Sequence, residues 1–350
     1  MTGVSESVDT VAQAKAKRAW IYAFPLVALL SLILLAFSVG RFPVSPSELL
    51  TILLTKLSGT SSELPSTAET VIFQIRGPRV IAAIVVGAAL AAAGAAYQGM
   101  FRNPLVSPDI LGVSAGAAVG AVLGIFFSQS VLLIQAFAFA GGLAAVAVVY
   151  AIGSSVRGHD PMLALILSGV IIGTLLGSCI ALLKYLADPY DQLPAITFWL
   201  LGSLASVAPD DLAVVVPVVL IGLAPLYFLR WRMNLLSLPD DEARALGVDT
   251  RNLRIIVVCG ATLMTAASVA ISGIIGWIGL IIPHAARMLV GPDFARMLPL
   301  SMLLGVCFLL GVDTLARTIA TIEVPPGVLT AVIGTPLFIW LLAIARRSFQ

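Results

Sequence analysis

Apolar residues run along this chain in blocks of about twenty, separated by short polar turns, from residue 20 almost to the C-terminus. Roughly 20 residues of α-helix cross the ~30 Å hydrocarbon core of a bilayer. Ten such helices are predicted, near 20–40, 80–99, 110–127, 131–152, 162–186, 211–230, 251–272, 274–290, 297–318 and 327–345. The block at 274–290 is the least regular, because Pro283 interrupts it. The first block, Trp20 to Gly40, exceeds the roughly 7–15 apolar residues of a signal-peptide core, so a retained helix is expected. Residues 1–18 are polar and read as a loosely ordered tail before a single membrane domain over 19–350.

Two stretches break the pattern. Pro194 to Leu204 is apolar but too short to span, and a re-entrant segment and a gating helix both fit it. Ser237 to Gly247, inside the long polar connection of about 231–250, reads as a short helix. Ser237 or Asp240 can cap its start, Asp240, Asp241 and Glu242 sit in its first turn, and Gly247 suits the residue past its end. Leu238, Ala245 and Leu246 give it one apolar side. Two turns of helix have little stability alone, so it must dock on something, either its own bundle or a partner.

Small residues recur at helical spacing. Gly112, Gly116, Gly120 and Gly124, then Gly169, Gly173 and Gly177, repeat every four residues, and Ala89 to Ala96 includes Gly94. These predict helix faces packed backbone to backbone, with a glycine face lining a translocation path as the alternative.

Composition agrees with a membrane protein, with 59% hydrophobic and 11% charged residues against about 25% charged in soluble domains. The three cysteines (Cys179, Cys259, Cys307) all fall in apolar blocks, which argues against a disulfide framework. The net charge of +2 says nothing about a nucleic-acid partner, and none is expected. With both termini inside, the Lys and Arg residues at or near the outer face are Arg41, Lys56, Arg76, Arg79, Lys184 and Arg317, six of 20. The other 14 then lie inside, so this orientation follows the positive-inside rule and the opposite one defies it. Arg76, Arg79 and Arg317 are candidates for interfacial snorkelling or for receiving a partner, and Asp313 can neutralise Arg317 four residues away.

Three motifs then narrow the class. Arg102-Asn103-Pro104-Leu105-x-x-Pro108-x-x-Leu111-Gly112 forms a polar hinge between two apolar blocks. Gly273-Ile274-Ile275-Gly276-Trp277-Ile278-Gly279-Leu280-Ile281-Ile282-Pro283-His284 and Pro325-Pro326-Gly327-Val328-Leu329-Thr330-Ala331-x-x-Gly334-x-Pro336 follow later. From about Arg76 onward the chain resembles the FecCD/BtuC-like permeases, membrane subunits of bacterial ATP-driven importers. Their substrates are ferric siderophores, haem, cobalamin and some oxyanions such as molybdate. The resemblance implies an all-α, BtuC-like type II importer fold in the plasma (inner) membrane. It implies a second permease subunit, identical or homologous, two cytoplasmic ATPases that carry ATP and Mg, and a periplasmic or lipoprotein binding protein. It also implies that Asp240, Asp241, Glu242, Ala243, Arg244 and Gly247 couple to the ATPase. Arg76, Arg79 and Arg317 would meet acidic residues of the binding protein, and Phe198, Trp199, Gly202 and Ser203 would belong to a gate.

Catalytic chemistry is not expected. The chain has no Gly-x-x-x-x-Gly-Lys-Ser/Thr loop for ATP, and His159 and His284 lack the spacing of a metal site. A structural hydrogen bond is expected for His284. Asp313 is the one clear acid inside an apolar block, where an aspartyl intramembrane protease needs two. The rival from another class, an ion-coupled secondary transporter, would need ionisable or broken-helix sites near the midplane.

Overall fold

In α4 (Gly77–Met100) the stretch 87–96 is alanine and glycine but for Leu90, which lets neighbouring helices approach closely, and the computed structural model places this helix at the centre of the bundle. The structure describes residues 2–40, 42, 44–58, 66–155 and 161–347. Arg41, Arg157, His159 and Ser61 lie outside the described residues, and so do the side chains of Lys15, Lys17, Arg18, Lys56, Arg346 and Arg347.

Before α4 come α1 (Thr2–Ser38), α2 (Pro46–Ser58) and α3 (Ser66–Thr70), the last joined to α4 by a π-helical turn, Val71–Arg76. A 3₁₀ turn, Pro108–Leu111, leads into α5 (Val113–Phe126), followed by α6 (Val131–Ser155), α7 (Pro161–Leu186), the short α8 (Gln192–Leu201) and α9 (Pro209–Phe228). The polar connection holds α10 (Arg230–Met233), a 3₁₀ turn at Asn234–Ser237 and α11 (Asp240–Ala245). Finally come α12 (Thr250–Ser272), α13 (Ile278–Val290), α14 (Phe294–Thr318) and α15 (Pro326–Arg347). Among the described residues every regular element is helical.

All ten predicted blocks are helices, but two are short. Among the described residues eight segments are long and apolar enough to cross a membrane, beginning at Trp20, Thr67, Val131, Met162, Pro209, Thr250, Phe294 and Pro326. The blocks predicted at 110–127 and 274–290 are α5, of 14 residues, and α13, of 13. At about 1.5 Å per residue each reaches only ~20 Å. Pro283 lies inside α13 and does not end it, and the helix break falls earlier, at 273–277. Proline at 283 leaves the Gly279 carbonyl without its helical donor. The Gln98 amide reaches that region, donating to Leu280 O at 2.9 Å and more weakly to Gly279 O at 3.4 Å. Helix α1 begins at Thr2, so the expected loose tail is helical backbone.

Helices α4 and α12 are the buried pair, and α4 packs on α14, α12 and α13. Glycine sets these approaches. A Cβ on Gly94 would overlap the Gly279 backbone, and one on Gly87 would lie 2.6 Å from Gly305 O. Gly116, Gly120 and Gly124 press α5 onto α6 as expected, and Gly169 meets the Ile110 carbonyl. Gly173 and Gly177 differ, because among the described residues no neighbouring element comes within 4 Å of a Cβ built there. That part of the α7 face is open in the single chain. Replacement of Gly94 by Val is expected to keep the protein from accumulating in membranes, whereas Gly177→Val leaves monomer folding intact. Quantitative blotting of membrane fractions distinguishes the two.

Candidate functional site

The hinge loop, the α11 segment and the helix break meet through Arg102, Gln98 and Pro108. Arg102 adopts φ +52, a left-handed conformation that costs a non-glycine residue about 1–2 kcal/mol. Its side chain offsets that cost by donating from Nε to Leu236 O at 2.8 Å and from its terminal nitrogen to Leu238 O. The same guanidinium lies 3.6 Å from Asp240. Asn103 Oδ1 accepts from the Leu105 amide at 2.9 Å, which fixes the turn, while Leu105 itself is exposed. Pro104 is half-buried. Gly112, at φ +75, ends the 3₁₀ turn and starts α5. Pro108 packs directly on Gly279 at the start of α13, where any side chain would strike its ring.

Helix α11 differs from its expected form. Its N-cap is Pro239 with no side-chain cap, since Ser237 bonds to Asn234 O and Asp240 turns to Arg254. Arg254 Nη1 donates to Asp240 Oδ2 at 2.9 Å. Ala243 is the buried contact, while Ala245 and Leu246 face out beside Asp241, Glu242 and Arg244. Gly247 does take the left-handed position, at φ +80 with open space around it. Hydrogen bonding from Arg254 is the main reason that the Asp240 carboxyl is held below its usual range, with the nearby Arg102 and Arg244 charges adding to it. A depressed carboxylate contributes above its unfolded pKa, near 4, and the contribution fades as pH falls through the lower folded value. Asp240→Asn is therefore expected to speed amide exchange across 238–248 at pH 7, and the wild type should show that loosening only below about pH 4.

The break joins three chain segments. Ser203 N donates to Ser272 O at 2.8 Å, tying the end of α8 to the end of α12. Gly202 (φ +73) and Gly327 face the Ile274 carbonyl, where Cβ atoms would lie 2.5 and 2.6 Å away. Gly273 (φ +64) sits under the Trp199 carbonyl, and Trp277 holds φ +72 against Gly334. Of the four expected gate residues, Trp199, Gly202 and Ser203 belong to this junction, and Phe198 points outward at 69% exposure. Among the described residues His284 has no hydrogen-bond partner at either ring nitrogen, contrary to expectation, and it packs edge-on to Phe338 at 6.1 Å.

At the end of α4 away from the hinge loop, about 32 Å along the helix over the 21 residues from Met100 to Arg79, lies a charge cluster. Arg79 grips Asp313 of α14, from Nε to Oδ1 and Oδ2 at 2.9 and 3.0 Å and from Nη2 to Oδ1 at 2.7 Å. It also holds Glu323, with Nη1 to Oε2 at 3.1 Å. Arg317 lies 3.4 Å from Asp313 and donates to Ala36 O and Val39 O of the α1 end. Arg76 donates to the carbonyls of Phe37 and Phe42. Arg76 and Arg79 are 5% and 6% exposed. They do not stand free for docking, because three helices converge here and their guanidiniums neutralise or hydrogen-bond the junction. The sequence signalled the Asp313–Arg317 pairing at i, i+4. It did not signal Glu323 or the Arg79 pairing across 234 residues.

The comparisons with known proteins bear on all these elements together. The model of the FecCD transport family matches residues 28–344. The chain belongs to the FecCD transport family. The molybdate import permease MolB of Haemophilus influenzae is 41% identical over 304 residues, covering 87% of this chain and 89% of its own. The cobalamin import permease BtuC of Halobacterium salinarum is 43% identical over 280 residues, covering 80% and 75%. A solved transporter described as metal-chelate type, in an inward-facing conformation, superposes with a TM-score of 0.82 at 38% identity over 92% of this chain and 98% of its own. This FecCD chain is thus a multi-pass, non-enzymatic permease of the plasma membrane, and ATP hydrolysis belongs to a separate subunit.

Proposed function

We propose that this permease admits a metal chelate of the ferric-siderophore type, handed over by an external binding protein and driven by two ATPases bound at the α11 end. The tether Arg102–Leu236–Leu238–Asp240 is the observation that carries the ATP-driven part of the reading, and the 38% identity to a metal-chelate type transporter supports the cargo. A short helix with exposed acids is fastened to the hinge loop, and the hinge loop presses on α13 next to the helix break. Displacement of α11 by a motor therefore reaches the break through backbone and proline contacts, not through a flexible linker. In this reading both termini and α11 are cytoplasmic, and the Arg79 cluster is external. A second permease covers the open Gly173–Gly177 face of α7. The binding protein docks over the cluster, and Glu323, 30% exposed, is the partner of Arg79 that an incoming carboxylate can displace.

The test is uptake into proteoliposomes holding the permease, its ATPase and its binding protein. Ferric siderophore should accumulate with ATP and be insensitive to a protonophore. Accumulation that collapses with the protonophore and ignores ATP would return the protein to the ion-coupled class. The 41% identity to a molybdate permease favours one alternative cargo, and ATP-driven uptake of molybdate instead of the chelate would reassign the substrate while keeping the mechanism.

A further inference from the structure

Between α6 and α12 an apolar groove of about 340 Å³ runs along the outside of the bundle, walled by Leu143, Ala147, Tyr150, Ile255 and Leu263. It shares Tyr150 and Val258 with a second cavity of about 400 Å³ at the α11 end. That second cavity is cationic, lined by Arg244, Arg251 and Arg254 with Asp240 as the acid facing them. Arg254 is engaged with Asp240, whereas Arg244 and Arg251 form no ion pair among the described residues. Thr250 also lines it, 1% exposed, with a hydroxyl that has no partner among the described residues.

We infer that the joined cavities form a binding site for one anionic phospholipid, with its phosphate among Arg244, Arg251 and Thr250 and an acyl chain in the groove. The pattern fits no soluble anion alone, because an uncharged slot continues directly from the cationic mouth. The dimensions agree as well. From Arg254 to Leu263 is nine residues of helix, about 13–14 Å, close to the ~15 Å half-thickness of the hydrocarbon core. Basic pockets between helix ends at a membrane surface recognise acidic headgroups, with each arginine contributing to affinity. The groove is open at its side, where Ala147 and Cys259 are exposed, so a chain can enter from the bilayer. Because Arg254 also holds Asp240 of α11, an occupied mouth sits against the root of that helix. The inference requires that the chain sit in a bilayer and does not depend on the cargo or on ATP coupling.

Native mass spectrometry of the full-length protein, exchanged against phosphatidylglycerol or phosphatidylcholine with matched chains, tests the site. The wild type should retain phosphatidylglycerol about tenfold better. Removing each arginine should lose roughly fivefold, so Arg244→Gln with Arg251→Gln should abolish the preference. Ala147→Trp, at an exposed position that folding does not need, should reduce retention of both lipids. Equal retention of the two lipids by the wild type, or an unchanged preference in the double arginine variant, would overturn the proposal. So would inorganic phosphate displacing the adduct from wild type and Ala147→Trp alike, which would assign the mouth to a free anion. Cross-linking of Ala147→Cys to a second copy of the chain would give the groove to protein and overturn it too.

Discussion

Asp313→Ala should destabilise the permease by about 3–5 kcal/mol, the usual cost of removing one partner from a buried ion pair. The carboxylate is fully buried and faces both Arg79 and Arg317. Its loss leaves two cations close together with Glu323 as the neighbouring acid. Replacing the pair by Arg79→Leu with Asp313→Leu removes both charges and should be less damaging than either single change, since well-packed apolar residues often substitute for such pairs without loss. Thermal unfolding in a fixed detergent, run as a double-mutant cycle, gives the coupling. Near-additive losses would show that the cluster is held by other contacts.

The other large effect concerns α11. Glu242→Arg combined with Gly247→Val should leave membrane abundance and ATP hydrolysis near normal while lowering transport at least tenfold. Glu242 is exposed, so reversing its charge disturbs a partner and not the fold. A Cβ at Gly247 meets no neighbouring atom, so the main cost of valine at φ +80 is backbone strain, which tilts the end of the helix. For cross-linking to the ATPase, Ala245→Cys is the site to use, because Ala243 is fully buried. Transport that follows ATPase activity in the double variant would make α11 a merely structural helix.

Hydropathy revealed where helices lie because each apolar block must satisfy its backbone internally in lipid. It did not reveal where one of them breaks. Pro283 looked like the interruption, yet a proline is tolerated within α13 while Gly273, with φ +64 and another backbone above it, ends α12. The tail was read from polarity alone. Its Ala-Gln-Ala-Lys-Ala-Lys-Arg run is rich in strong helix formers, which continue α1 upstream. Gly247 was legible because the turn past a helix end makes a local backbone demand, and Arg102 was legible only as part of a family motif. The partners of Arg79 were not, since pairing between α4 and α14 depends on tertiary packing that no short-range spacing encodes.

The junction of α8, α12 and α13 also carries its own optical label. Of the five tryptophans, Trp199 and Trp277 stand at the break, while Trp20, Trp231 and Trp340 are 71%, 66% and 57% exposed elsewhere. Substituting those three with Phe removes background emission at positions the packing barely feels. The remaining spectrum then reports the polarity of the break directly, so its opening can be followed in real time without an attached dye.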